Sequence, residues 1–180
     1  MNEVTARAAT YEDIVAASNP KTFPCWVLEG AEHPLFLYGA GFFGRQDAVF
    51  AARAGVQVAS VVDANSELMD AMRRMYSPTF PGWTWRTCSV GEYPLRVGQH
   101  DVIVLDPWTN DIRPSFAFTS DHALRCAARY VVTGYYPAEA GVEVTTEMVE
   151  ADIPGSRCVE VLKRSGHRGG VWWAVLERAS

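Results

Sequence analysis

The chain has 180 residues, the length of one domain, and 48% of them are hydrophobic against 21% charged, so a sizeable core can be buried. A net charge of −5 argues against a dedicated DNA-binding protein, whose non-specific affinity rests on Lys and Arg neutralising phosphates, while leaving room for a local basic patch and a nucleic-acid partner. No apolar run approaches the roughly 18 residues of a membrane span, and Met1 to Thr10 carries Glu3 without the apolar centre of a signal peptide; a cytoplasmic globular protein is expected.

Taken in order, Thr10 to Asp13 opens a short helix with Thr10 as its cap, and Asn19-Pro20 ends it. Lys21 to Pro34, with Pro24 and Gly30, reads as a surface loop. Residues 1–34 form an N-terminal helix and arm, either a lid or a packing segment, ahead of a domain at 35–180. The first strand is Pro34 to Tyr38. It runs into Gly39-Ala40-Gly41-Phe42-Phe43-Gly44 and a helix from Arg45 to Ala54, stopped by Gly55. Val56 to Val62 is the second strand, ended by Asp63. Asn65 or Ser66 caps a helix whose Leu68, Met69, Met72, Met75 and Tyr76 share one side as core packing. Trp83 to Cys88 is a third strand, with Trp83 and Trp85 on one face.

Val102 to Leu105 is the fourth strand and the most apolar, followed at once by Asp106-Pro107-Trp108. A helix at Asp121 to Ala128, a strand at Tyr130 to Thr133 and a helix at Thr145 to Ala151 come next. Cys158 to Leu162 and Val171 to Leu176 pair as a closing antiparallel hairpin around a turn rich in Gly166, Gly169 and Gly170. Trp172 and Trp173 then place one ring on each face, and a ring left outside would be a contact surface. Seven strands alternating mostly with helices define the fold class: α/β, a single-domain Rossmann-like doubly wound sheet, mostly parallel, with a C-terminal antiparallel hairpin.

Gly39-x-Gly41-x-x-Gly44 stands between a strand and a helix, where glycine lets the backbone turn and approach a ligand without a Cβ. The helix beyond it offers free N–H groups. Asp63, at the end of the next strand, places a carboxylate where ribose hydroxyls of an adenosine can donate to it. Asp106 ends the fourth strand. In a doubly wound sheet the first and fourth strands flank the switch point where ligands bind. An acid there can orient or deprotonate an acceptor, Pro107 stiffens the loop, and Trp108 offers a flat face for stacking.

In element order and in these motifs, the chain resembles class I S-adenosylmethionine-dependent methyltransferases from about Leu35 to Ser180. Leu37-Tyr38-Gly39-Ala40-Gly41 is similar to the family's first motif. Val61-Val62-Asp63-Ala64-Asn65 resembles the segment whose acid holds the ribose. Thr87-Cys88-Ser89-Val90 stands where the third-strand loop contacts adenine. His100 to Pro107 resembles the motif beside the methyl-transfer site, and the last hairpin matches strands six and seven, the seventh inserting antiparallel. The resemblance implies S-adenosylmethionine as cofactor, bound by Tyr38, Gly39, Ala40, Gly41, Phe42, Gly44, Asp63, Ala64, Asn65, Ser89, Val90 and Asp106. It also implies Asp106, Pro107 and Trp108 as the catalytic segment. The chain departs from the family where Leu37 replaces a common acid and where the third glycine falls at Gly44. Asp106-Pro107-Trp108 is similar to, and one proline shorter than, the Asp-Pro-Pro-aromatic motif of methyltransferases acting on amino groups of adenine, which implies a nucleobase amine as one acceptor class.

A nicotinamide-dependent oxidoreductase accounts for the third glycine but leaves little room for a substrate domain. A non-catalytic cofactor-binding or interaction module is the other reading. The four cysteines, Cys25, Cys88, Cys126 and Cys158, form no C-x-x-C pair and read as reduced thiols. His33, His100, His122 and His167 have no metal spacing and are expected on the surface or in the core. Arg45 and Gln46 lie in the first turn after the glycine loop, within reach of a cofactor carboxylate.

Overall fold

The computed structural model describes residues 23–38, 50–51, 53–106, 120–137, 141–163 and 172–179. Seven strands form one sheet: β1 (Leu35–Tyr38), β2 (Ala59–Asp63), β3 (Trp83–Thr87), β4 (Val102–Asp106), β5 (Tyr130–Tyr135), β6 (Ser156–Lys163) and β7 (Trp172–Arg178), in the order β3-β2-β1-β4-β5-β7-β6. β1 to β5 pair in parallel. β7 runs antiparallel to both β5 and β6, so it is the reversed strand and β6 points the same way as β1. The hairpin therefore ends the sheet on β6, with its antiparallel strand one place inside the edge.

Alternation along the strands feeds two cores, because a sheet covered on both faces sends successive side chains to opposite layers. Phe36, Val61, Val104 and Trp173 enter one, with Met69, Met72 and Tyr76 of α1 (Ser66–Tyr76) packed over them. Leu35, Leu37, Ile103, Leu105 and Trp172 enter the other, with Leu124 and Val149, the latter from α2 (Thr146–Asp152). Both tryptophans of β7 are buried, so the hairpin leaves no ring outside as a contact surface. The Trp83 and Trp85 rings share a face, as their spacing requires, 6.0 Å apart.

Several expected boundaries shift, each for a visible reason. The segment expected to be a surface loop carries a 3-10 turn (Cys25–Leu28) with Phe23, Val27 and Leu28 buried. The Phe23 ring stacks on Phe50 at 5.5 Å and meets Trp173 edge-on at 5.4 Å. β2 begins at Ala59 rather than Val56, because its ladders begin only there, at Ala59 with Trp83 of β3 and at Ser60 with Leu35 of the short β1. Helical residues 120–126 end short of Ala128, whose N–H donates to the His100 carbonyl at 3.1 Å while the Cys126 carbonyl accepts from Gly98. β5, β6 and β7 run longer than expected because the inserted β7 offers pairing partners on both sides.

The Gly55 stop is as expected. Its φ is +79°, and the Val56 N–H reaches back to the Ala51 carbonyl at 3.0 Å, the closure of a Schellman cap. Asn65 caps α1, accepting from the Leu68 N–H at 3.0 Å. Among the described residues no helix is long and apolar enough to cross a membrane.

Candidate functional site

The register of the parallel strands assembles the candidate site. Tyr38 pairs with Asp63 on one side and with Asp106 on the other, and Asp63 pairs with Thr87. Four strand ends thus lie in one row at the carboxyl edge of the sheet. Parallel neighbours lie about 4.8 Å apart, so Asp63 and Asp106 flank the end of β1 with their backbones about 10 Å from each other. The glycine segment begins at the next residue after Tyr38. Gly39, Ala40, Gly41, Phe42 and Gly44, like Pro107 and Trp108, lie outside the described residues, as do Arg45 and Gln46.

Asp63 is fully buried. Its Oδ1 accepts the Asn65 N–H at 2.8 Å, and its carbonyl accepts the Cys88 N–H at 3.1 Å. The first contact orients the carboxylate. The second fastens the start of the β3–β4 crossover to the end of β2. That tie brings Ser89 and Val90 to the same edge. Ser89 is already engaged locally: its N–H and hydroxyl both donate to Glu92 Oε2, at 3.2 and 2.8 Å, closing a capping box around the 3-10 turn Val90–Glu92. These bonds hold the Glu92 carboxyl below the usual range. Ala64, Asn65 and Ser89 are exposed and Val90 is half-buried.

An adenosine-containing cofactor fits this set. An oriented carboxylate stands one strand from the glycine segment, and the exposed turn beside it has its backbone fixed. Asp63 ends β2 as the sequence places it, and its carboxylate is buried rather than solvated.

Sequence reading did not find the polar cluster at the opposite edge of the sheet. His33, Ser60, Thr84, Tyr93 and His100 converge there from before β1, from β2, from β3 and from the crossover. Scattered spacing hid it, since only the parallel register aligns the strand starts. No metal site emerges: among the described residues no three His, Cys, Asp or Glu gather. Burial pushes the Cys158 thiol up to about 11 and raises Cys88 and Cys126 as well, which disfavours thiolate chemistry at neutral pH.

No protein-family model matches the chain, and no curated protein matches it in sequence. Solved structures do match in shape. The N-methyltransferase NodS of Bradyrhizobium japonicum WM9 superposes with a TM-score of 0.60 at 11% identity, covering 87% of this chain and 93% of that one. The magnesium protoporphyrin IX methyltransferase ChlM of Synechocystis PCC 6803, solved with bound S-adenosylmethionine, gives 0.60 at 11% identity over 94% and 78%. A putative RNA methyltransferase of Pyrococcus horikoshii gives 0.60 at 16% identity over 87% and 82%. The chain has the Rossmann-like fold of class I S-adenosylmethionine-dependent methyltransferases.

Proposed function

We propose that this protein is an S-adenosylmethionine-dependent methyltransferase. The observation that carries the reading is the register row at the carboxyl edge: Asp63, Tyr38 and Asp106 end three adjacent strands around the start of the glycine segment. In this assignment the methionine portion lies along Tyr38, Gly39, Ala40, Gly41, Phe42 and Gly44. Asp63, with Ala64 and Asn65, holds the ribose, and Ser89 and Val90 border the adenine. Residues 35–180 would carry the chemistry, with 1–34 as an N-terminal arm.

The cofactor supplies a methyl group already activated by its sulfonium. What remains for the chain is alignment and exclusion of water. Asp106, at the end of β4, would accept a hydrogen bond from the acceptor and take up its proton, and Pro107 and Trp108 would fix and cover it. An amino group is the acceptor class that suits an acid in this place, since an amine offers N–H donors to a carboxylate. A nucleobase amine is one member of that class.

Parallel calorimetric titrations with S-adenosylhomocysteine and NAD test the reading. Micromolar binding of the first and none of the second is expected. The reverse result would replace it with a nicotinamide-dependent oxidoreductase, and silence with both would favour a non-catalytic module.

A further inference from the structure

The crossover from β3 to β4 holds no α-helix among its described residues, only the 3-10 turn Val90–Glu92. One end is fastened by the Cys88 N–H to the Asp63 carbonyl. The other is fastened by Tyr93, the residue that closes the turn. The Tyr93 hydroxyl lies 3.2 Å from His100 Nε2. His100 Nδ1 lies 3.1 Å from the His33 carbonyl. A carbonyl only accepts, so Nδ1 carries the proton, and in the neutral ring Nε2 is the acceptor of the tyrosine O–H. On the same side, Ser60 Oγ lies 3.1 Å from His33 Nε2 and accepts the Thr84 hydroxyl at 3.1 Å.

We infer that Tyr93 and His100 are positioning residues for the proposed cofactor site: their hydrogen bond latches the Ser89–Tyr93 turn against the sheet while the His100 ring is neutral, and acid releases it. The inference rests on the assignment of Ser89 and Val90 to the adenine side.

His100 is only 1% exposed. The His33 ring stands against it at 4.8 Å, edge to face. The neighbouring Asp101 carboxylate is engaged elsewhere, by the Glu32 and His33 N–H groups at 2.8 and 3.0 Å and by Arg129 at 3.9 Å. The Arg86 guanidinium covers the Tyr93 ring at 5.6 Å and adds positive charge to the same side. A second proton on His100 would therefore sit in a buried place with no carboxylate bonded to it. It would also turn Nε2 from acceptor into donor, so the Tyr93 O–H could no longer donate to it. Solvation of the charge and loss of that bond both favour opening of the Tyr93 side. Burial correspondingly holds His100 below the ordinary imidazole range, against the pull of the His33 carbonyl.

Two readouts on the full chain test this. Hydrogen exchange without ligand, corrected for intrinsic rates, should show residues 89–95 losing protection between pH 7.5 and 5 in the wild type. In Tyr93→Phe the same residues should be poorly protected at both pH values. S-adenosylhomocysteine affinity should weaken about fivefold over that range in the wild type, the worth of about one hydrogen bond, and stay pH-independent in Tyr93→Phe. Protection unchanged with pH, or a Tyr93→Phe protein that keeps the wild-type response, overturns the latch while leaving the cofactor reading intact. Absence of binding at either pH overturns the cofactor reading, and exchange then decides the latch alone.

Discussion

Asp63 shows how much a single residue can carry here. Its Oδ1 is held by the Asn65 N–H, and Asn at this position would keep that acceptor while removing the charge. Hydrogen bonds to a charged group contribute about 1.5–3 kcal/mol, so Asp63→Asn should weaken S-adenosylhomocysteine binding by about 10- to 150-fold. Calorimetry beside a melting curve separates this from unfolding, and unchanged affinity would remove Asp63 from the site. Gly82 carries a purely structural constraint. A Cβ there would stand 2.5 Å from the Gln57 carbonyl oxygen, backbone against backbone. Neither side can turn away, so Gly82→Ala should cost about 1–3 kcal/mol and lower Tm by about 2–12 °C, read in a thermal scan. The role of Gly82 was not legible in the sequence, where Ser77 to Gly82 reads only as a chain break, because the neighbour that excludes a side chain lies in another segment. The acid at Asp63 was legible, since strand, turn chemistry and charge coincide there.

At the scale of elements, legibility followed local signals. α1 was readable from its apolar stripe and its cap, because both are written within one helical turn of their partners. The start of β2 was not, because it depends on where β1 and β3 begin. The end of the helical stretch 120–126 was hidden for the same reason: Ala128 gives its N–H to His100, a residue far away in sequence. The caps themselves differ in strength. Asn65 accepts from Leu68 at 3.0 Å, whereas Thr145 accepts from Met148 at 3.4 Å at the start of α2. Asn65→Ala should therefore destabilise by about 1 kcal/mol, and Thr145→Ala by less. Chemical denaturation of the two variants gives the order, and the reverse order would show that hydrogen-bond length does not govern the caps.

For the whole molecule, the two edges of the parallel sheet divide the work. The carboxyl edge gathers Asp63, Tyr38 and Asp106, and the opposite edge gathers the His33–His100 cluster that locks the strand starts together. Folding stability should register the second edge through pH. The folded His100 imidazole titrates below its ordinary value of 6.5 because burial penalises its charged form. Below about pH 6.5 the unfolded chain therefore binds more protons at this residue than the folded one. The stabilisation is fully present above that pH and drains away as pH falls toward the folded value. Glu92 and Glu147 act in a separate, more acidic window: their hydrogen bonds lower their titration, so their contribution is present above about 4.5 and lost below it. Unfolding free energies across pH 4 to 8 should thus show a first decline beginning near 6.5 and a second beginning near 4.5. In His100→Gln the first decline should flatten and the second persist, whatever the variant loses in overall stability, because a constant offset does not change a slope. An equal slope between pH 6.5 and 5 in both proteins would mean that His100 is not the group being titrated, and the second edge would then be a passive clasp.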